Sequence, residues 1–322
     1  MTPCPQATAL AVADAVLASK GRSFHWARRL LSPRHAARAT RLYSFCRYID
    51  DLADEASSVE SARINLKLVS RALVRGHSNH PVVADGIALM QECSIEPAVF
   101  HELIAGMVSD LGLVRIKDEG ELLRYCYRVA GTVGLMMCKV LDTQDPRALA
   151  HAVDLGIAMQ LTNICRDITA DAMVGRRYLP ACLVGEISPD ALVMPVQALH
   201  LQLQKCVAHL LDIADRYYRS GELGLAYLPA GARSGILVAA RVYRAIGCRL
   251  RARDNAYWQG RVIVPTRVKL AVTTGALLSA PLRPSFWLSF SPHDDSLHEA
   301  LSGLRGLSSL TPAKAPVHAR GI

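Results

Sequence analysis

The sequence predicts an all-α protein folded as one domain, and three observations carry that prediction. Apolar residues recur at helical spacing nearly from end to end, while alternating, strand-like runs are scarce. Breaks built on Pro, Gly, Asn and Ser fall at intervals that suit helices of ordinary length. A hydrophobic fraction of 51% against 20% charged residues over 322 positions supports a substantial core and argues against disorder. No internal repeat and no shift of composition divides the chain.

Residues 1–20 are set apart as an N-terminal segment; they lack the basic start and long apolar run of a secretory signal. The helical domain is expected over 21–282. Ser32-Pro33 breaks the chain before a long helix that runs through Arg38, Tyr43 and Arg47 to Asp50 and Asp54. Further helices are expected over 59–75, 80–93, 97–113, 119–141, 146–172, 190–219 and 233–257, separated at Asn79–Pro81, Pro97, Gly120, Asp145-Pro146, Pro180, Ser188-Pro189 and Pro229–Gly231. Residues 283–322 read as a flexible C-terminal tail, ending in the Pro- and Ala-rich LSSLTPAKAPVHARGI. No run approaches ~18 uninterrupted apolar residues, so no membrane span is expected. Segment 268–281 is the most apolar, and it suits a packed helix or one resting on a membrane surface.

Two D-x-x-x-D pairs carry the chemistry: Asp50 and Asp54 in RYIDDLADE, and Asp167 and Asp171 in QLTNICRDITAD. On a helix, a spacing of four puts both carboxylates of a pair on one face, a turn apart. Leu42, Phe45, Ile49 and Leu52 surround the first pair, and Ile157, Leu161, Ile164 and Ile168 the second, so both should be largely buried. Buried carboxylates are costly, and a hard divalent cation is an ordinary relief. Two such helices facing across a cavity would hold a Mg²⁺-diphosphate. Gln160, Asn163, Asp167 and Asp171 form one polar stripe, and Arg47 and Arg166 stand beside the pairs, as a metal and a polyanion require. The competing reading is internal ion pairing, Arg47 with Asp50 or Asp51 and Arg166 with Asp171.

Net charge is +9, carried mostly by Arg, which favours anionic partners. Nucleic acid is not expected: no basic stripe with interleaved aromatics, zinc-finger spacing or recognition-helix unit is present. The nine cysteines contain no C-x-x-C pair and read as small buried hydrophobes in a reducing compartment. Cys46 and Cys165 lie near the acid pairs but have no evident base. Gly131, Gly134 and Gly156 interrupt helical segments, each at about 1 kcal/mol relative to Ala, so either a second helix or a ligand's hydrocarbon approaches the backbone there. Met136, Met137 and Met159 suit either core packing or the wall around an apolar tail.

Six blocks in order, RSFHWARRLLSPR (22–34), LYSFCRYIDDLADE (42–55), YCYRVAGTVGLMM (125–137), LGIAMQLTNICRDITADAMVGRRYLP (155–180), ADRYYRSGELGLAYLP (214–229) and ARVYRAIGCRLRARDNAYWQGRV (240–262), make the chain resemble the squalene/phytoene synthase family from about Ser23 to Arg261. GLMM and RRYLP look most like its bacterial phytoene synthase branch, while Asn255-Ala256-Tyr257 is less typical. The resemblance implies an isoprenoid-synthase-type bundle around a central cavity. It implies metal ligation by Asp50, Asp54, Asn163, Asp167 and Asp171, with Arg47, Arg166, Arg176, Tyr178 and Arg261 at positions that hold diphosphate oxygens. Ser23, Phe24, Tyr43, Tyr125, Val129, Ala130, Val133, Gly134, Leu155, Gly156, Met159 and Gln160 would line the prenyl cavity.

The reaction so implied joins two geranylgeranyl diphosphates head to head through a cyclopropyl diphosphate, with Mg²⁺ (or Mn²⁺ in its place) and no NADPH. No G-x-G-x-x-G follows a strand, so no Rossmann nicotinamide site is expected. The released diphosphate, or Tyr and Gln groups near the site, would take the protons. So apolar a product implies a cytoplasmic enzyme working at the inner membrane face beside a downstream desaturase. A relative that makes a C30 product from farnesyl diphosphate would share every acid residue and differ mainly in cavity length. A non-catalytic scaffold would be expected to lose acid residues, and both pairs are intact. A class I terpene cyclase fits the RDxxxD and YLP context poorly.

Overall fold

The computed structural model describes residues 5–288 and 292–306, and among these every regular element is helical apart from one isolated bridge between Arg115 and Arg177. Helices α1 (Pro5–Lys20) and α2 (Arg22–Ala27) lead into α3 (Pro33–Asp54), then α4 (Val59–Arg75), α5 (Pro81–Cys93) and α6 (Pro97–Ser109). Next comes one continuous helical stretch, α7 (Glu119–Cys126), a π-helical turn (Tyr127–Gly131) and α8 (Thr132–Val140). Helix α9 (Ala148–Met173) is followed by the short α10 (Ala181–Val184) and α11 (Pro189–Val193), then α12 (Gln197–Leu223), α13 (Ala230–Arg251), α14 (Thr266–Ser279) and α15 (Pro284–Trp287).

Local chemistry sets most boundaries. Ser32 caps α3, its Oγ accepting the His35 N–H at 3.3 Å, with Pro33 in the first turn. Ser58 caps α4 in the same way at 3.1 Å, and that helix stops at Gly76 with φ 73°. Asp118 caps α7, accepting the Glu121 N–H at 2.8 Å.

Three expected helices end or break differently. The one expected over 97–113 stops at Ser109, where the chain turns through Asp110. The one expected over 190–219 splits around Pro195, which has no N–H to donate and disfavours helix at Met194. The one expected over 233–257 ends at Arg251, because Asp254 and Asn255 take left-handed φ values of 52° and 58°. The unusual Asn255-Ala256-Tyr257 is this turn, and it buries Tyr257, whose hydroxyl donates to Leu192 O at 3.0 Å.

Helix α9 lies at the centre. Its Ile157, Ala158, Leu161, Ile164 and Cys165 are buried in the main core with Phe45, Ile49, Phe100, Leu122, Leu203 and Leu210 from the surrounding helices. A second cluster under α13 and α14 gathers Leu225, Leu237, Val238, Val242 and Phe286. Full burial of each such aliphatic side chain contributes roughly 1.5–3 kcal/mol. Two glycines set how closely the backbones meet. A Cβ at Gly134 would lie 2.1 Å from Ala152 O, and one at Gly156 2.3 Å from Ala130 O, so the stretch from the π-turn into α8 rests directly on α9.

Both ends depart from the expected 21–282 boundaries. Helix α1 packs on the bundle: Ala13 and Leu17 are buried, and Lys20 pairs with Asp51 at 2.8 Å and Glu55 at 3.2 Å. Residues 292–306 are packed where a flexible tail was expected, while 289–291 lie outside the described residues. Leu297, Leu301 and Leu304 are buried, at a helical spacing that a compositional reading overlooks. Tyr217 Oη donates to Leu297 O at 2.6 Å, and Arg124 donates to Ala300 O at 3.0 Å and Ser302 O at 2.8 Å. The remainder of the expected tail, 307–322, lies outside the described residues. No helix among the described residues is long and apolar enough to cross a membrane.

Candidate active site

A cavity of about 400 Å³ runs between α3 and α9. On α3 its wall passes from Ala39 through Leu42, Tyr43 and Cys46 to Arg47 and Asp50; on α9 it passes from His151 through Leu155, Gly156 and Met159 to Gln160 and Asn163. Twelve residues of helix span about 18 Å, so the cavity is long, apolar along most of its length and polar where both helices approach their C-terminal ends. Phe24, Tyr125, Val129, Ala130, Val133 and Gly134 complete much of the wall. Ser23 does not line it, although Phe24 beside it does. Gly134 and Gly156 both serve helix packing and face the cavity. The methionines divide: Met137 and Met159 line the cavity, whereas Met136 is core.

The acidic helices converge around Asp110 and Arg176. Arg176 donates to Asp54 Oδ1 at 2.9 Å, while its backbone N–H reaches Asp171 O at 2.9 Å, so one residue touches both acid motifs. Asp110, at the C-terminal end of α6, is close enough to Asp50 and Asp171 to raise the pKa of both. It accepts from Tyr178 Oη at 2.7 Å and Tyr125 Oη at 2.8 Å, and the two rings stack at 4.8 Å. Burial pushes the Asp110 carboxyl up, although both phenols work against the shift.

Arg47 pairs with Asp50 at 2.8 Å and Asp51 at 2.5 Å, as the ion-pair reading expects. Arg166 pairs with its neighbour Asp167 rather than with Asp171, and Arg261 donates to the same Asp167 at 2.7 Å. Burial opposes ionisation of Asp167, but Arg166 and Arg261 outweigh it and hold the carboxyl below its usual range. Asp171 and Asp110 have no Arg, Lys or His within ion-pair distance among the described residues. Burial, with Asp167 adding repulsion, pushes Asp171 up to about 7. Burial, with Asp54, Asp51 and Asp110 adding to it, pushes Asp50 up to about 6.

This arrangement fits a hard divalent cation. Two of the carboxylates are strained by burial and mutual repulsion, and Asn163 Oδ1 is a buried acceptor with no hydrogen-bond partner, one turn from Asp167. Carboxylate and amide oxygens are the donor set that Mg²⁺ takes. The arginines add the bidentate donors that suit phosphate oxygens. Burial pushes the Cys46 thiol up to about 12 and the Cys165 thiol higher still, which disfavours the thiolate a nucleophile needs.

Two residues escaped the sequence reading. Asp110 is a single carboxylate in MVSDLG, with no paired partner to mark it. Tyr243 lines the cavity from α13 against Phe24, with ring centroids 5.0 Å apart. A four-residue spacing of lining positions, Gly235, Ala239 and Tyr243, was its available signal.

Residues 17–269 match the squalene/phytoene synthase family. A 15-cis-phytoene synthase from Enterobacter agglomerans is 33% identical over 268 residues, which cover 79% of this chain and 90% of that protein. A phytoene synthase from Pseudescherichia vulneris is 33% identical over 285 residues, covering 84% of this chain and 90% of that protein. Among solved structures, a dehydrosqualene synthase in complex with ligand superposes with a TM-score of 0.78 at 24% identity, over 86% of this chain and 98% of that one; at that identity the likeness concerns the fold. The matched stretch contains both acidic helices and most of the cavity wall, and the chain belongs to the squalene/phytoene synthase family.

Proposed function

We propose that the protein is a phytoene synthase, joining two geranylgeranyl diphosphates head to head to a C40 hydrocarbon. The observation that carries this is a long apolar cavity with Asp50, Asp110 and Arg47 at its polar end, in a chain 33% identical to phytoene synthases over most of its length. Asp50, Asp54, Asn163, Asp167 and Asp171 would hold Mg²⁺, or Mn²⁺ in its place, which supplies Lewis-acid charge for departure of the diphosphate.

The chain's own groups do the rest. Arg47, Arg166, Arg176 and Arg261 grip diphosphate oxygens and stabilise the charge that develops as the C–O bond breaks. The double bond of the second substrate attacks the allylic cation, and loss of a proton to the released diphosphate, or to a Tyr or Gln group near it, closes the cyclopropane. A second ionisation, rearrangement and proton loss give the product, with no reductant consumed. Phe24, Tyr43 and Tyr243 stand along the path with the aliphatic wall, so water is kept from the cations. Tyr125 and Tyr178, held by Asp110, form a fixed hydrogen-bonded edge beside the polar end of the cavity.

A membrane-surface position for the C-terminal helices is part of the proposal. Leu270, Leu278, Leu282, Trp287 and Leu288 are all exposed between Thr266 and Leu288, across α14, α15 and the turn that joins them, with Arg267 and Arg283 in the same segment. Such a site would pass an insoluble product to a membrane-bound desaturase.

Solvent extraction after incubation with geranylgeranyl diphosphate and Mg²⁺, with and without NADPH, tests the reading. The expected product is a C40 hydrocarbon with conjugated-triene absorbance, formed without NADPH and abolished by EDTA. A C30 hydrocarbon formed only from farnesyl diphosphate would overturn the chain length, and silence with both substrates would overturn the activity. Adding anionic vesicles to the same incubation tests the membrane position: the protein should sediment with them, and the double variant Leu278→Ser, Trp287→Ser should stay in the supernatant. Failure of the wild type to sediment would remove that part.

A further inference from the structure

Asp154 is fully buried on α9, well away from the acid pairs, and no Lys or Arg pairs with it among the described residues. Its neighbours are histidines. Oδ2 lies 2.8 Å from His293 Nε2 and 2.5 Å from Ser220 Oγ, and Oδ1 lies 2.7 Å from His298 Nε2. His151, one turn earlier on α9 and itself buried, has Nδ1 3.0 Å from Ser220 Oγ. One ligand atom each from His151, Asp154 and His293 fall within 4.8 Å of one another. The i, i+3 spacing of His151 and Asp154 sets both on one helix face, and His293 arrives from the C-terminal segment.

From this geometry we infer a second metal site, in which His151, Asp154 and His293 bind a divalent transition ion of the Zn²⁺ class. Two imidazoles and one carboxylate are a donor set such an ion takes, whereas Mg²⁺ takes oxygen, so the site differs in kind from the acid pairs. The ion replaces the proton shared between His293 Nε2 and Asp154 Oδ2, and water completes the tetrahedron. The outer groups needed to orient the ligands are present. His293 Nδ1 is 3.1 Å from Asp295 Oδ1, which fixes the tautomer that leaves Nε2 free to ligate. His298 holds the second oxygen of Asp154.

The placement gives the ion a task. His151 lines the cavity at the end remote from Asp50 and Asn163, and His293 belongs to the segment packed behind it. Metal binding clamps that segment to α9 and fixes the end of the cavity that His151 lines. The inference rests on the cluster itself and holds whether or not the protein makes phytoene.

The test uses full-length protein stripped with a chelator and reloaded with Zn²⁺ or Co²⁺. Wild type should take up one tightly held Zn²⁺ per chain, melt at a higher temperature with it, and give the intense visible bands of tetrahedral Co²⁺. Asp171→Asn should keep those bands, which separates this site from the acid pairs. His293→Ala should lose them, and His298→Gln should weaken Zn²⁺ binding by about 10–100-fold while keeping the bands. Absence of the bands and of a Zn²⁺-dependent melting shift in wild type overturns the inference, whatever the variants do. Bands that persist in His293→Ala overturn it as well.

Discussion

Replacing Asp171 with Asn is expected to stabilise the folded protein while cutting turnover by about 10²–10³-fold. Its carboxyl, pushed up to about 7 by burial and by Asp167, is a cost to the fold whenever it is ionised. A carboxylate whose folded pKa lies above its unfolded value destabilises at high pH, and the cost disappears as pH falls toward the unfolded value. The gain from Asn should therefore be roughly 1–3 kcal/mol at pH 8 and shrink on acidification through 7, vanishing near 4. Thermal melts of both proteins across that range measure it. The same sign governs metal binding, which needs the ionised form: Mg²⁺ affinity should fall below pH 7, with proton release at pH 6 seen by calorimetry in buffers of different ionisation enthalpy. A variant that retains near-normal turnover, or is less stable at pH 8, contradicts the role given to Asp171.

The second large effect is expected at Gly156. Its replacement by Ala should cost about 2 kcal/mol or more, because the new Cβ would sit 2.3 Å from Ala130 O and 2.9 Å from the Gly131 Cα, both backbone atoms that cannot turn aside. The π-turn and α8 would have to lift from α9, deforming the cavity wall that Ala130, Gly134 and Gly156 share. Gly275→Ala is the control. It lies within α14, a Cβ there meets nothing within 4 Å, and helix propensity alone should make the change stabilising by up to about 1 kcal/mol. Denaturant melts that find Gly156→Ala within 0.5 kcal/mol of wild type would contradict the close helix contact.

The sequence made α3, α4 and α9 legible because apolar periodicity, Ser or Pro at the start and Gly or an acid at the end all agreed. The acid pairs were legible for a related reason: charge within an apolar helix face is an anomaly visible without coordinates. Pairings across space were not. Nothing local assigns Arg176 to Asp54, or Arg261 to Asp167, since 122 and 94 residues separate them. Asp110 was hidden because it stands alone, and its importance comes from two tyrosines that reach it from other segments. The C-terminal segment carries the polar, Pro- and Ala-rich composition of a tail at its end, while its packing partners lie far away in sequence, on α7, α9 and α12.

The measurement that bears most directly on the central claim is a crystal structure with Mn²⁺ and a geranylgeranyl thiolodiphosphate that cannot ionise. The anomalous signal of the metal should appear between Asp50 and Asp54 on one side and Asn163, Asp167 and Asp171 on the other. The diphosphate should lie against it within reach of Arg47, Arg166, Arg176 and Arg261, and the hydrocarbon should run along α9 toward His151. Metal at only one acid pair with the diphosphate elsewhere, or a cavity that leaves the prenyl chain outside, would contradict the account.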